Sequence, residues 1–256
     1  MSNLAGSATH PFKRNHRVVV GLFFVAFLLV GISIFEHYGV AYDEGYHTEF
    51  GEKSVEHAFK LLTGTGSESE YMGGSHHAKG HGPAYQMFLY GLQKALHLDD
   101  TRSVFLMRHL VTYLVFLTAA YCFYLLCQRR FNNWKLSLLG STLLLLHPRI
   151  FAHSFYNSAD IPFMSAFIVS IYAMIRYLES TTLSRSILLA VSCAILVAIR
   201  VAGVFVPLLA ILFITRDAWR AHAAGKSLQP ILSPAVVFIV TCATLSFLLW
   251  PYLWTN

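Results

Sequence analysis

Residues 18–35 pass without a single charged side chain, and six further apolar stretches follow at about residues 104–127, 136–146, 161–177, 186–199, 201–215 and 231–249. Backbone N–H and C=O groups find no water in hydrocarbon, so each such stretch must close its own hydrogen bonds as a helix or be buried among helices. Composition points the same way. Hydrophobic residues make up 55% of the 256, charged ones only 12%, and mean hydropathy is +0.53. A soluble domain carries roughly 25% charged residues, so this chain lacks the charge to cover a water-facing surface. Disorder, which requires low hydrophobicity and high charge, is excluded as well. The expected fold class is all-α: a polytopic integral membrane protein of about seven transmembrane helices.

The net charge of +6 does not imply nucleic acid, because the basic residues sit in short clusters between the apolar runs. Lys13/Arg14/Arg17, Arg129/Arg130/Lys135, Arg176/Arg185 and Arg216/Arg220/Lys226 all fall on one side if the N-terminus is cytoplasmic. Residues 36–102, 147–160 and 251–256 then face the opposite side. Ten of the 13 acidic residues lie in the first of these segments. Glu36-His37-Tyr38 offers no small-residue cleavage site after the first run, so that run reads as a retained helix rather than a signal peptide. Residues 1–17 are expected to form a cytoplasmic tail, and 18–256 a transmembrane domain with its first extracytoplasmic loop at 36–103. Parity requires residues 186–215 to be two short helices turning near Arg200 and Gly203. A single crossing would carry Arg216, Arg220 and Lys226 to the wrong side. The four cysteines (Cys122, Cys127, Cys193, Cys242) fall in or beside apolar runs and form no CxxC pair.

The first loop carries pattern of its own. Tyr46, Phe50, Ala58, Phe59 and Leu62 suit one face of a helix, and Pro83 opens a second pattern through Tyr85, Phe88, Leu89, Leu92 and Leu96. Both read as amphipathic helices lying at the membrane interface. Residues 63–82 between them hold six glycines and read as a loop.

Four groups of residues suggest chemistry. Asp43 and Glu44 are adjacent carboxylates where the first helix leaves the membrane, placed to bind a cation or to act as base toward an acceptor hydroxyl; a solvated loop is the bland alternative. Asp160 precedes Ile161-Pro162 and is equally explained as a helix N-cap. Arg200 has no charged neighbour in sequence. An arginine at mid-membrane costs about 2.5–3.5 kcal/mol on insertion scales, so it either faces an interior cavity or snorkels to the interface. Its planar fork suits phosphate oxygens. Arg108 begins the next span on the same side and is a second candidate for that anion, or an interfacial anchor. His76, His77 and His81, with His47 and His57 upstream, have spacing that permits a metal, but the glycine-rich sequence offers no helix to fix their geometry, and a solvated loop is the bland alternative. No cofactor is required by these residues, and a divalent metal is left open.

Taken together, Tyr42-Asp43-Glu44 after a first span, His81-Gly82-Pro83, and Arg108 opening the next span resemble the C-type (GT-C) membrane glycosyltransferases. The closer likeness is to the protein O-mannosyltransferase and aminoarabinose transferase group, glycosyltransferase family 39. The stretch from His147-Pro148-Arg149 through Asn157 to Asp160-Ile161-Pro162-Phe163 carries most of it, with Ala198-Ile199-Arg200-Val201-Ala202-Gly203 and Trp250-Pro251-Tyr252-Leu253-Trp254 adding to it. The resemblance implies a sugar donor on a polyprenyl phosphate and transfer to a protein, lipid or glycan acceptor. It further implies that transfer takes place at the extracytoplasmic face of a membrane, the inner membrane if the source is bacterial. It implies catalytic roles for Asp43 and Asp160, a supporting role for Glu44 in acceptor or metal binding, and contacts from Arg108 and Arg200 to the lipid phosphate. Ala159 departs from the lysine expected in close relatives. Family members continue through further helices, so the chain is expected to be an N-terminal part.

Two other classes compete. A secondary transporter would place ionisable groups near the midplane beside broken helices, often with internal repeats. The break near Arg200 fits, but the acidic candidates lie outside the spans and no repeat is present. A metal-sensing or scaffolding membrane protein would be built around the histidine loop.

Overall fold

The computed structural model describes residues 12–65 and 80–254, with side chains from His16 onward. It is all-helical. Among the described residues there is no strand, only an isolated antiparallel bridge between His81 and Arg200. The helices are α1 (Phe12–Ile34), α2 (Glu44–Thr63), α3 (Ala84–Ala95), α4 (Thr101–Phe131), α5 (Trp134–Leu145), α6 (Pro148–Tyr156), α7 (Asp160–Glu179), α8 (Leu183–Ile199), α9 (Phe205–Ala223) and α10 (Gln229–Leu248). Short 3-10 turns occupy Phe35–His37, Val201–Val204 and Pro251–Trp254.

Among the described residues, five segments are long and apolar enough to cross a membrane: His16–His37, Thr101–Phe131, Asp160–Glu179, Val201–Ala223 and Gln229–Leu248. α5 and α8 are shorter apolar helices of 12 and 17 residues. The chain is a membrane protein with several apolar helices. Large apolar side chains such as Leu22, Leu29, Leu143, Phe205 and Val240 face outward, as lipid-facing helices require.

Local sequence sets the helix ends. The Asp100 side chain accepts from Ser103 N at 2.9 Å and starts α4, which stops where Asn132 turns left-handed at φ 47°. Asn133 then caps α5 through Lys135 N at 3.0 Å. At α7 the expected cap is displaced. Asp160 is the first helical residue, and Asn157 does the capping, its Oδ1 accepting from Asp160 N at 2.8 Å and Ala159 N at 3.2 Å. The Asp160 carboxylate is thereby left for other partners.

Polar contacts define two ends of the bundle. At one, Arg129 meets Glu179 at 2.9 Å and Arg185 donates to the Arg176 carbonyl at 2.6 Å. At the other lie the N-termini of α4 and α7, the C-terminus of α8, and the packed pair α2 and α3. The expected break falls at Arg200: its extended backbone ends α8, and Gly203 N bonds back to Arg200 O at 2.8 Å. A Cβ on Gly203 would lie 2.7 Å from Leu196 O, so the tight turn requires glycine.

Among the described residues, two apolar cores lie within the bundle. One joins α7, α8, α9 and α10 around Tyr177, Leu189, Leu196, Val206 and Phe238; the other joins α1, α4, α5 and α6 around Tyr113, Phe116, Leu145 and Phe155. Phe155 is stacked between Tyr113 at 4.7 Å and Tyr38 at 4.3 Å, which ties the first loop to α6. A smaller cluster of Tyr85, Leu89 and Ile199 seats α3 on α4, α7 and α8. That third cluster is the floor of the site.

The loop helices form where expected, but α2 buries a different face. Phe50, Ser54, His57 and Ala58 turn inward, while Phe59 and Leu62 are exposed. At 100° per residue Phe59 falls off the face that Phe50 and Ala58 share. Gly51 brings the two helices together, since a Cβ there would meet Gln86 O at 2.5 Å.

A charged cavity joined to an apolar groove

At the end of the bundle opposite the Arg129–Glu179 pair, a cavity of about 50 Å³ is lined by Tyr46, His47 and Phe50 of α2, His81 and Gly82, Tyr85 and Gln86 of α3, Ser158, Ala159, Ile199 and Arg200. It exists because the loop before α3 docks on the broken helix. Gly82 N donates to Ile199 O at 3.0 Å, and the bridge sets His81 beside Arg200. A Cβ at position 82 would lie 2.0 Å from Ala198 O, so only glycine fits.

Arg200 supplies a half-buried cation to the cavity. Its guanidinium pairs with Asp160, 40 residues earlier, and lies 5.6 Å over the Phe163 ring. The partner absent from its sequence neighbourhood is therefore delivered by the fold. Asn157 Nδ2 donates to Asp160 Oδ2 at 3.0 Å and holds the carboxylate in place. Arg200 Nε has no hydrogen-bond partner.

Arg108 lies deeper, only 1% exposed. Its Nη2 donates to Gln86 Oε1, while Nε and Nη1 have no hydrogen-bond partner. Gln86 in turn donates to Ser158 O at 2.8 Å, so one amide links Arg108 to the cavity wall. A buried guanidinium with unused donors and no carboxylate in contact is poised for an anion.

The adjacent carboxylates part company. Asp43 is 60% exposed, and its Oδ2 faces His47 Nε2 at 3.6 Å, one helical turn on. Glu44 is 1% exposed, locked by Ala41 N at 2.7 Å and by His109 Nε2 at 3.0 and 3.2 Å. Glu44 therefore faces the bundle interior and braces α2 against α4. Asp43 and Asp160 each stand one side chain behind the cavity wall, Asp43 on His47 and Asp160 on Arg200. Burial pushes the His47 imidazole below its ordinary range; Asp43 opposes that, while Arg108 and His81 add to it. Its neutral form is favoured at pH 7. Burial also pushes the Tyr85 hydroxyl up to about 12, with Thr112 Oγ1 at 3.1 Å as its partner.

His76 and His77 lie outside the described residues. Among those described, no three His, Cys, Asp or Glu side chains are grouped to hold a metal ion. The sequence marked His47 only as lying upstream of the histidine set, and did not mark Gln86, His109 or Ser158 as functional. His47 was legible as the i+4 partner of Asp43; Gln86 carried no signal, being a polar residue within an apolar pattern.

A groove of about 680 Å³ opens on the other side of Tyr85 and Ile199, which line both spaces. Phe88, Val111, Val115, Val169, Val191 and Ile195 are among its walls, drawn from α3, α4, α7 and α8. Of the two loop helices, α3 walls this groove, whereas α2 lines the charged cavity. A scan against protein-family models returns no match, and no curated protein and no solved structure matches the chain at a significant level.

Proposed function

We propose that the chain is a C-type glycosyltransferase resembling glycosyltransferase family 39, moving a sugar from a polyprenyl-phosphate donor to a hydroxyl acceptor with inversion. The observation that supports this most is the shared wall of Tyr85 and Ile199. A donor of this kind is an apolar chain ending in an anion and a sugar, and a largely apolar groove meets a cationic cavity at that wall. In this reading the chain of the lipid lies in the groove, and Arg108 and Arg200 hold the phosphate. Cleaving the glycosyl–phosphate bond leaves the electron pair on phosphate, where two guanidinium groups stabilise it. Asp160 positions Arg200, Glu44 braces α2 against α4, and the Asp43 region supplies the base.

All seven apolar helices cross the membrane in this reading. Arg129 near the end of α4 and Glu179 at the end of α7 share one end of the bundle, whereas Arg200 at the end of α8 and Asp160 at the start of α7 share the other. Thus α8, though only 17 residues, runs the full distance, and α5 followed by α6 covers the return from α4. The N-terminus is cytoplasmic and the cavity extracytoplasmic.

The test is transfer from labelled polyprenyl-phosphate sugars by the protein in proteoliposomes. Asp43→Asn is expected to abolish transfer while donor binding persists; transfer at the wild-type rate would remove the assignment. The helix break at Arg200 also suits a secondary transporter. Solute uptake by the same proteoliposomes without sugar transfer would establish that alternative.

A further inference from the structure

Resting on the transferase reading, the cavity geometry makes a more specific assignment of the base than the adjacent carboxylates suggest. Asp43 is largely exposed and does not line the cavity, whereas His47 does, with its side chain 16% exposed. Helical spacing sets Asp43 directly behind it, one turn earlier on α2, with Oδ2 at 3.6 Å from Nε2.

We infer that His47 is the group that accepts the acceptor's hydroxyl proton, and that Asp43 acts through it as a positioning residue. An anion facing Nε2 favours the tautomer with hydrogen on that nitrogen, leaving the Nδ1 lone pair as base. In the step itself the acceptor oxygen forms a bond to the anomeric carbon, and the carbon–oxygen bond to phosphate breaks. The lipid phosphate leaves with the electron pair. The hydroxyl proton passes to the imidazole, and Asp43 stabilises the imidazolium until solvent removes the proton.

The surroundings fit a base that is neutral before reaction and charged after it. Among the described residues, the charged and titratable groups facing His47 are Asp43 and Tyr46 on its own helix, Arg108 on α4, His81 before α3, Tyr85 on α3, and Arg200 on the far wall of the cavity. Burial and the cationic groups favour neutral imidazole in the resting protein, while Asp43 opposes them. The negative charge that develops on phosphate offsets those cations at the moment the proton moves.

The experiment measures transfer against pH for wild type, His47→Gln, His47→Ala and Asp43→Asn in proteoliposomes. A general base contributes about 10²–10⁴-fold, so His47→Gln should lose that much in kcat with donor KM nearly unchanged. It should also lose the acid limb of the profile. Added imidazole should restore part of the rate to His47→Ala. Isotope-edited NMR of His47 supplies a readout independent of any donor: Asp43→Asn should lower the pH at which the ring titrates, because an attractive anion is lost. Full activity in His47→Gln, or no imidazole rescue and an unmoved acid limb, would overturn this assignment while leaving the transferase reading standing. A wild-type protein that titrates as described yet transfers nothing would instead overturn the transferase reading.

Discussion

Arg108 is where single-residue physics is most exposed to test. Burying a guanidinium whose Nε and Nη1 have no partner costs stability that a purely structural residue would not impose, and replacing buried charge by apolar side chains is often neutral or stabilising. Arg108→Met is therefore expected to unfold at the same temperature as wild type or higher, while donor affinity drops at least about tenfold, or 1.4 kcal/mol. Thermal unfolding and binding of a labelled donor check the two halves separately. A variant that unfolds many degrees earlier with donor affinity intact would mark Arg108 as an anchor and nothing more. Glu44 is the counterexample beside it. The same chemical type as Asp43, and one residue away, it is used for bracing because the helix rotates it by 100° into contact with His109.

At the scale of elements, the site depends on a loop seated on a helix break. Gly82 lies against Ala198 with no room for a methyl group. Gly82→Ala should lift His81 away from Arg200 and cost about 1–3 kcal/mol, the usual range for overpacking. Thermal unfolding would register the loss, and transfer should fall further than stability alone explains, because the cavity opens. The break itself was legible in sequence, from parity and the thirty residues spanning 186–215. So were α2 and α3, from their apolar periodicity. The inward face of α2 was not, since its buried residues include Ser54 and His57, whose polarity erases the periodic signal. The cap of α7 was misplaced for a related reason. Asp and Asn cap equally well, and three-dimensional pairing with Arg200 determines which of Asp160 and Asn157 is free to do so.

For the whole molecule the outstanding quantity is orientation. The native cysteines are buried or half-buried, which makes single added thiols readable. Tyr42→Cys, in the exposed turn before α2, is expected to react with a membrane-impermeant maleimide on intact cells. Ala224→Cys, exposed between α9 and α10, should react only after lysis. The reverse pattern would invert the topology and place the cavity in the cytoplasm.

Hydropathy and charge placement, both local along the chain, determined that this is a helical membrane protein, where its apolar helices lie and that the chain breaks near Arg200. Those properties depend on how each segment meets water or lipid, and hence on its own composition. Which side chains meet was decided only by tertiary structure. Arg200 finds Asp160 across 40 residues, Glu44 finds His109 across 65, and Gln86 finds Ser158 across 72. Such pairings leave no periodic trace, because they arise where helices from distant parts of the chain pack side by side. The joining of a charged cavity to an apolar groove at Tyr85 and Ile199 is likewise a property of packed helices, and of no single one of them.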